Sequence, residues 1–232
     1  MAADKDHVPL VLSGTPESGR VILLSPGFAA RVTDYGPLVR SLEEKFLVAR
    51  VGHLGSTRSA GLEALIRLGW ARLLGGKSPE QAAREVRSWL HRESNRQRRL
   101  KHALAAIEFL KVRFPEHRLS MAGHSFGTDT ALLVALREPV ENLYLFSPHP
   151  PGYLVANQDY RRLKAQSVWV VTGEKDFTRD GVGPQQRVRV VDFLDPKVSR
   201  APIVLPGVGH MDFAFEGLGP QGWSEGLQGL TG

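Results

Sequence analysis

Apolar residues along this chain fall into two kinds of pattern. Six short stretches are apolar at nearly every position: "RVILLS" (20–25), "FLVARV" (46–51), "RLSMAG" (118–123), "NLYLF" (142–146), "SVWVVT" (167–172) and "APIVL" (201–205). Continuous runs of this length read as strands buried on both faces of a parallel sheet. Between them, apolar positions recur every three or four residues, as they do on one face of a helix. A helix is predicted from about Pro37, with Leu38 and Leu42 on its inner face, and another over "TDTALLVAL" (128–136). Leu100, Ala103, Leu104, Ile107, Leu110 and Phe114 mark a third, ended by Pro115. Strands alternating with helices predict an α/β fold with a mainly parallel central sheet, flanked by helices and joined by right-handed crossovers. No strand is predicted before Arg20.

One region breaks the alternation. From about 56 to 99 the pattern is helical with no strand candidate, which predicts a cap-like helical insertion within one domain spanning 1–232, either a lid or a rigid layer. Its first helix, "GLEALIRLGWARLLGG" (61–76), is apolar most of the way round. A second begins at Ser78, with Pro79 in its first turn and Gln81 completing a capping box, and carries Ala82, Ala83, Val86, Trp89 and Leu90 on one stripe.

Composition narrows the chemistry. With 232 residues, 42% hydrophobic and 23% charged, the chain can bury one sizeable core. It has no cysteine, which removes disulfides, thiolate metal sites and a cysteine nucleophile. Its formal charge is +6, and the segment from Arg58 to Arg99, with ten basic and four acidic residues, carries a surplus of the same size. The run "RQRRLK" (96–101) reads as the solvated start of a helix. The basic segment lacks interleaved exposed aromatics and any nucleic-acid reading motif, so no nucleic-acid partner is expected. Its stripe with Trp70 and Trp89 could meet an anionic membrane surface, but core packing is the commoner use. No apolar stretch is long enough to span a bilayer, and "MAADKDHVPL" does not look like a signal peptide. A cytoplasmic protein without stable membrane insertion is expected.

The candidate chemistry centres on "GHSFG", Gly123 to Gly127. A G-x-S-x-G match in so glycine-rich a chain is weak alone, but here a strand precedes it and a helix follows, the context of a nucleophile elbow. Ser125 would be the nucleophile. A serine hydroxyl needs a general base held by a third group. "SVWVVT" leads into Asp176, and "APIVL" leads into His210, both on loops at the carboxyl ends of predicted strands, where sites of open α/β sheets gather. Asp180 and Asp212 are rival acids. Backbone N–H groups of Phe126 and of Phe28, in the loop "SPGFAA", are the expected oxyanion donors, with Gly27 allowing close approach.

The segments "LLSPGFAA", "GHLGST", "AGHSFG", "SPHPPG", "VTGEKD" and "GVGHMDF" resemble an α/β-hydrolase of the dienelactone-hydrolase-like group. They are also similar to bacterial platelet-activating-factor acetylhydrolase relatives and polyester hydrolases, over about residues 22–213. The resemblance implies the α/β-hydrolase fold, the triad Ser125, Asp176 and His210, and a serine carboxylic-ester hydrolase acting on a small-molecule ester without cofactor or metal. It places Gly27, His53, His124, His149 and Met211 near the substrate, although for His53 and His149 a satisfied structural histidine is the stronger reading. Four departures stand out: true dienelactone hydrolases use cysteine, Pro26 replaces a histidine common before the oxyanion-loop glycine, Thr128 replaces a further glycine, and the N-terminal stretch is short, with room to omit strands that relatives carry. The same machinery would serve a thioesterase, amidase or acyltransferase, and a non-catalytic binding protein on this fold is a separate alternative.

Overall fold

All six apolar runs form strands, and the alternation of their side chains explains why they are apolar throughout. The structure is a computed structural model that describes residues 8–28, 30–53, 91–156, 158–178 and 181–215, and the individual positions 76, 78, 81, 84, 85, 88, 89, 217, 219, 220, 222, 223 and 227. The strands are β2 (Arg20–Ser25), β3 (Leu47–Val51), β4 (Arg118–His124), β5 (Val140–Phe146), β6 (Ala165–Lys175) and β7 (Ile203–Gly209). Val21 and Leu23 face one side of the sheet while Ile22 and Leu24 face the other, and all four are buried. Each face therefore has its own core.

A seventh strand, β1 (Leu10–Ser13), lies in the N-terminal stretch, where the apolar pattern predicts none. It pairs antiparallel with β3, from Leu10 opposite Val51 to Ser13 opposite Val48. Four residues behind Pro9 are too few to display a period, so only pairing with β3 reveals the strand. The sheet order is β1-β3-β2-β4-β5-β6-β7, and the other pairings are parallel.

The described helices include α1 (Gly36–Glu43), α2 (Glu93–Arg113), α3 (Phe126–Ala135) and the short α4 (Pro184–Val188). Leu100, Ala103, Ile107 and Leu110 of α2, with Ala131 and Leu132 of α3, close one face of the sheet. Leu38, Val39 and Leu42 of α1, with Phe213 and Ala214, close the other. The result is three layers around two cores.

Most of the expected helical insertion lies outside the described residues, including 61–75 of the helix expected over 61–76 and the stripe positions Ala82, Ala83, Val86 and Leu90. The capping box is present: Ser78 N–H donates to Gln81 Oε1 at 3.0 Å and Gln81 N–H to Ser78 Oγ at 3.3 Å. Gln81, Arg84, Glu85, Ser88 and Trp89 are helical.

The "RQRRLK" run is corrected. Arg96 and Arg99 are not solvated but 9% and 2% exposed. They extend the buried stripe of α2 toward its start, because 96, 99, 103, 106 and 110 share one helical face. No described helix is long and apolar enough to cross a membrane.

Candidate active site

The connectivity places the site before any side chain is considered. From β2 the chain moves outward to β3, then returns across the sheet to β4, so β2 and β4 are neighbours whose connections leave in opposite directions. The crevice beyond the carboxyl ends at such a switch point is where ligands bind open α/β sheets. Ser25–Phe28 and Ser125 occupy those two ends.

Ser125 joins β4 to α3 with φ 52° and ψ −120°, a left-handed conformation for a residue with a side chain. Such a residue costs of order 1–3 kcal/mol and persists only where its surroundings hold it. Its N–H donates to the Phe146 carbonyl at 2.9 Å, and its carbonyl accepts from Thr128 N–H at 3.0 Å and Thr128 Oγ1 at 2.6 Å. Thr128 thus uses its hydroxyl to hold the turn. The flanking glycines are steric requirements: a Cβ on Gly123 would collide with the Gly127 carbonyl, and one on Gly127 with the Ser25 carbonyl.

Three side chains converge on this elbow. His210 Nε2 lies 3.0 Å from Ser125 Oγ, and His210 Nδ1 lies 2.8 Å from Asp176 Oδ1. Asp176 follows β6 and is 0% exposed; Thr172 Oγ1 donates to its Oδ2 at 2.9 Å, and Arg187 Nε is 3.1 Å from Oδ1. Burial alone would raise the Asp176 carboxyl. The hydrogen bond and charge of His210, with the Arg187 guanidinium, outweigh it and hold the group well below the usual carboxylate range. An ionised Asp176 accepts from Nδ1–H, which leaves Nε2 free to accept the serine proton. Of the rival acids, Asp212 accepts the Gly209 N–H at 2.7 Å and closes a turn. Asp180 lies outside the described residues.

Gly27 reaches the elbow, since a Cβ there would lie 3.3 Å from Ser125 Cβ. Phe28 follows it, and Phe126 opens α3, where the first amides have no acceptor within the helix. Met211 is exposed beside His210, as are Phe177 after Asp176 and Phe215 beyond Met211. His149 is buried in an aromatic cluster, its ring 4.3 Å from His91 and 6.4 Å from Phe126.

The other two residues named with them, His53 and His124, are both buried. His53, 1% exposed, lies in a buried polar cluster, with Nε2 3.0 Å from Ser25 Oγ and its ring stacked on His102. His124 is buried between Tyr35 and the His210 loop: Nδ1 is 2.9 Å from Tyr35 Oη and Nε2 is 3.0 Å from the His210 carbonyl.

Sequence reasoning missed Tyr35, Arg99 and Arg187. Arg99 Nη2 donates to Ser25 Oγ at 3.2 Å and to the Pro26 carbonyl, its Nε donates to Thr130 Oγ1, and its guanidinium lies over the Phe126 ring. Burial brings its pKa down to about 10 against the opposing pull of Tyr35 and Asp129, so it remains charged at neutral pH. An arginine on the apolar stripe of a helix was the available signal. Nothing in the pattern marks Tyr35 or Arg187.

No family model and no curated protein sequence matches the chain. Solved structures do. Est1E from Butyrivibrio proteoclasticus, with ferulic acid bound, superposes with a TM-score of 0.65 at 14% identity, covering 96% of this chain and 93% of that one. An α/β serine hydrolase homologue from Coxiella burnetii gives 0.58 at 15% identity, over 97% and 89%. The 2-hydroxy-6-oxo-6-phenylhexa-2,4-dienoate hydrolase of Rhodococcus sp. strain RHA1 gives 0.54 at 13% identity, over 88% of each. The protein has the α/β-hydrolase fold.

Proposed function

We propose that the protein is a serine hydrolase that cleaves small-molecule carboxylic esters through an acyl-enzyme on Ser125. The observation that carries this reading is the unbroken chain from Ser125 Oγ through His210 to a buried Asp176, built on a strained elbow at the switch point of the sheet. Ser125 Oγ attacks the acyl carbon while His210 Nε2 takes its proton. The proton then goes to the departing alkoxide, and the ester C–O bond breaks. Water repeats the sequence on the acyl-enzyme, again through His210, and releases the acid. Asp176 stays ionised throughout and stabilises the imidazolium. Phe28 and Phe126 N–H groups hold the oxyanion, a contribution worth about 10²–10³ in rate per donor in related chemistry. The exposed Met211, Phe177 and Phe215 beside the two loops favour an apolar acyl or alcohol group.

The test is direct. A fluorophosphonate should label Ser125, and p-nitrophenyl esters of increasing acyl length should be turned over with a preferred length. Ser125→Ala should lose both while melting near the parent, because the side chain carries no core packing. A wild-type protein that forms no adduct on Ser125 is not a serine hydrolase.

A further inference from the structure

Two buried side chains that take no part in the chemistry above hold opposite ends of one peptide bond. The carbonyl of Pro26 accepts from Arg99, and the N–H of Gly27, on the same peptide unit, donates to Tyr35 Oη at 2.6 Å. The next amide along the chain is that of Phe28. A peptide pinned at both oxygen and nitrogen is held against rotation about its flanking bonds, which leaves only the two dihedrals of Gly27 between the fixed unit and the Phe28 N–H.

Tyr35 extends this clamp to the other side of the site. His124 Nε2 faces a backbone carbonyl, that of His210, so it must carry a proton. Burial, with the nearby His210 opposing a second charge, keeps His124 neutral at ordinary pH, so its Nδ1 is an acceptor. The Tyr35 hydroxyl therefore accepts from Gly27 and donates to His124. The hydrogen bonds run in one direction: Gly27 N–H to Tyr35, Tyr35 O–H to His124, His124 Nε2–H to the His210 carbonyl.

Tyr35 is itself held in place at a cost. Its φ is 76°, left-handed for a bulky aromatic residue, and its N–H donates to the Ala214 carbonyl at 2.8 Å, just beyond His210. Strain of this kind, at a residue bonded to both loops, marks a position whose geometry the fold imposes.

We propose that Tyr35 and His124, with Arg99, are positioning residues that couple the oxyanion loop to the general base, so that Phe28 N–H and the His210 imidazole are placed by one hydrogen-bonded network. The assignment rests on the acyl-transfer reading of Ser125 and His210. None of the three touches the reacting atoms, and each acts through a backbone group of the 26–28 loop or of His210.

A misplacement of the reacting groups by about 1 Å can cost of order 10²-fold in rate, so loss of one link should cost roughly tenfold. Tyr35→Phe keeps the ring and removes the hydroxyl. Its kcat on the best p-nitrophenyl ester should fall about tenfold with KM within about twofold, and its fluorophosphonate labelling rate should fall in parallel. His124→Gln, whose amide can still donate to the His210 carbonyl, should keep more activity than His124→Leu. The Tyr35→Phe/His124→Leu double variant should be no slower than the slower single one, because both break the same path. A Tyr35→Phe protein with wild-type kcat, or two losses that multiply in the double variant, overturns the network and leaves the hydrolase reading intact. Should Tyr35→Phe fail to fold, the ranking of Gln above Leu at 124 decides alone. Absence of any adduct on wild-type Ser125 overturns both.

Discussion

Two buried arginines flank the site, and they are compensated in different ways. Arg187, from α4, is 2% exposed and sits against the carboxylate of Asp176, with the Ser147 and Pro148 carbonyls on its Nη1. Arg99, from α2, is equally buried, but its partners are two hydroxyls, one carbonyl and the face of Phe126, and no described carboxylate lies within ion-pair distance. On the Asp176 side, positive and negative charge are balanced and fixed. On the side of the 26–28 loop a positive charge is retained beneath the groups we assign to the oxyanion. The first arrangement serves stability and the orientation of His210. The second spends stability on geometry and field at the place where negative charge would develop.

Replacing each arginine by methionine separates these roles. Arg187→Met strands Asp176 without its cation, and a broken buried pair typically costs about 3–5 kcal/mol. It should show the largest loss in urea unfolding, and adding Asp176→Asn should recover part of it because the stranded charge is gone. Arg99→Met strands no carboxylate. It leaves a carbonyl and two hydroxyls short of a donor, a cost of roughly 1–3 kcal/mol, yet kcat should drop about tenfold or more as the loop loosens. Equal stability losses in the two variants, or full activity in Arg99→Met, would erase the distinction.

The same contrast explains what could be read in advance. Six strands were legible because their apolar runs are only five or six residues long, too short for helices, and the order Ser125, Asp176, His210 followed from the loops after three of them. β1 was not, because its four residues acquire meaning only beside β3. Arg99 reads as part of a solvated helix start when taken with its neighbours along the chain, whereas the helix groups positions three and four apart. The resemblance placed His124 near the substrate, but its two ring nitrogens face Tyr35 and the His210 carbonyl inside the protein. Tyr35 belongs to no motif. Its role depends on β2, β4 and the 210–214 loop meeting in space.

Smaller effects should appear with pH, through two buried histidines. His53 is held well below the ordinary histidine value by burial first, then by Arg99 and His102; His124 is lowered by burial and then by His210. Both enter the folded state neutral, whereas the unfolded chain binds their protons below about pH 6.5. Their contribution to stability is complete above that value and is lost as pH falls toward the folded-state values, each with a slope approaching about 1.4 kcal/mol per pH unit. Denaturant midpoints should therefore decline from pH 7 to pH 5, and His53→Gln should flatten the decline by one histidine's share. A midpoint unchanged over that range would mean that these rings are not kept neutral by their surroundings.

The smallest effect expected is at Asp212, which the sequence left as a rival to Asp176. Both aspartates follow strands of the sheet, and both have a carboxylate oxygen in a short hydrogen bond of 2.7–2.8 Å. Their partners differ: Asp176 faces an imidazole and a guanidinium, whereas Asp212 accepts one backbone N–H from Gly209. An amide oxygen can accept that bond as a carboxylate does. Asp212→Asn should therefore stay within about 1 kcal/mol of the parent in stability and within about twofold in kcat. Asp176→Asn presents His210 with the wrong hydrogen-bonding partner and should lower kcat by up to about 10⁴-fold. If the two substitutions change places in that ranking, the acid of the site is Asp212, and the Arg187 pair is structural alone.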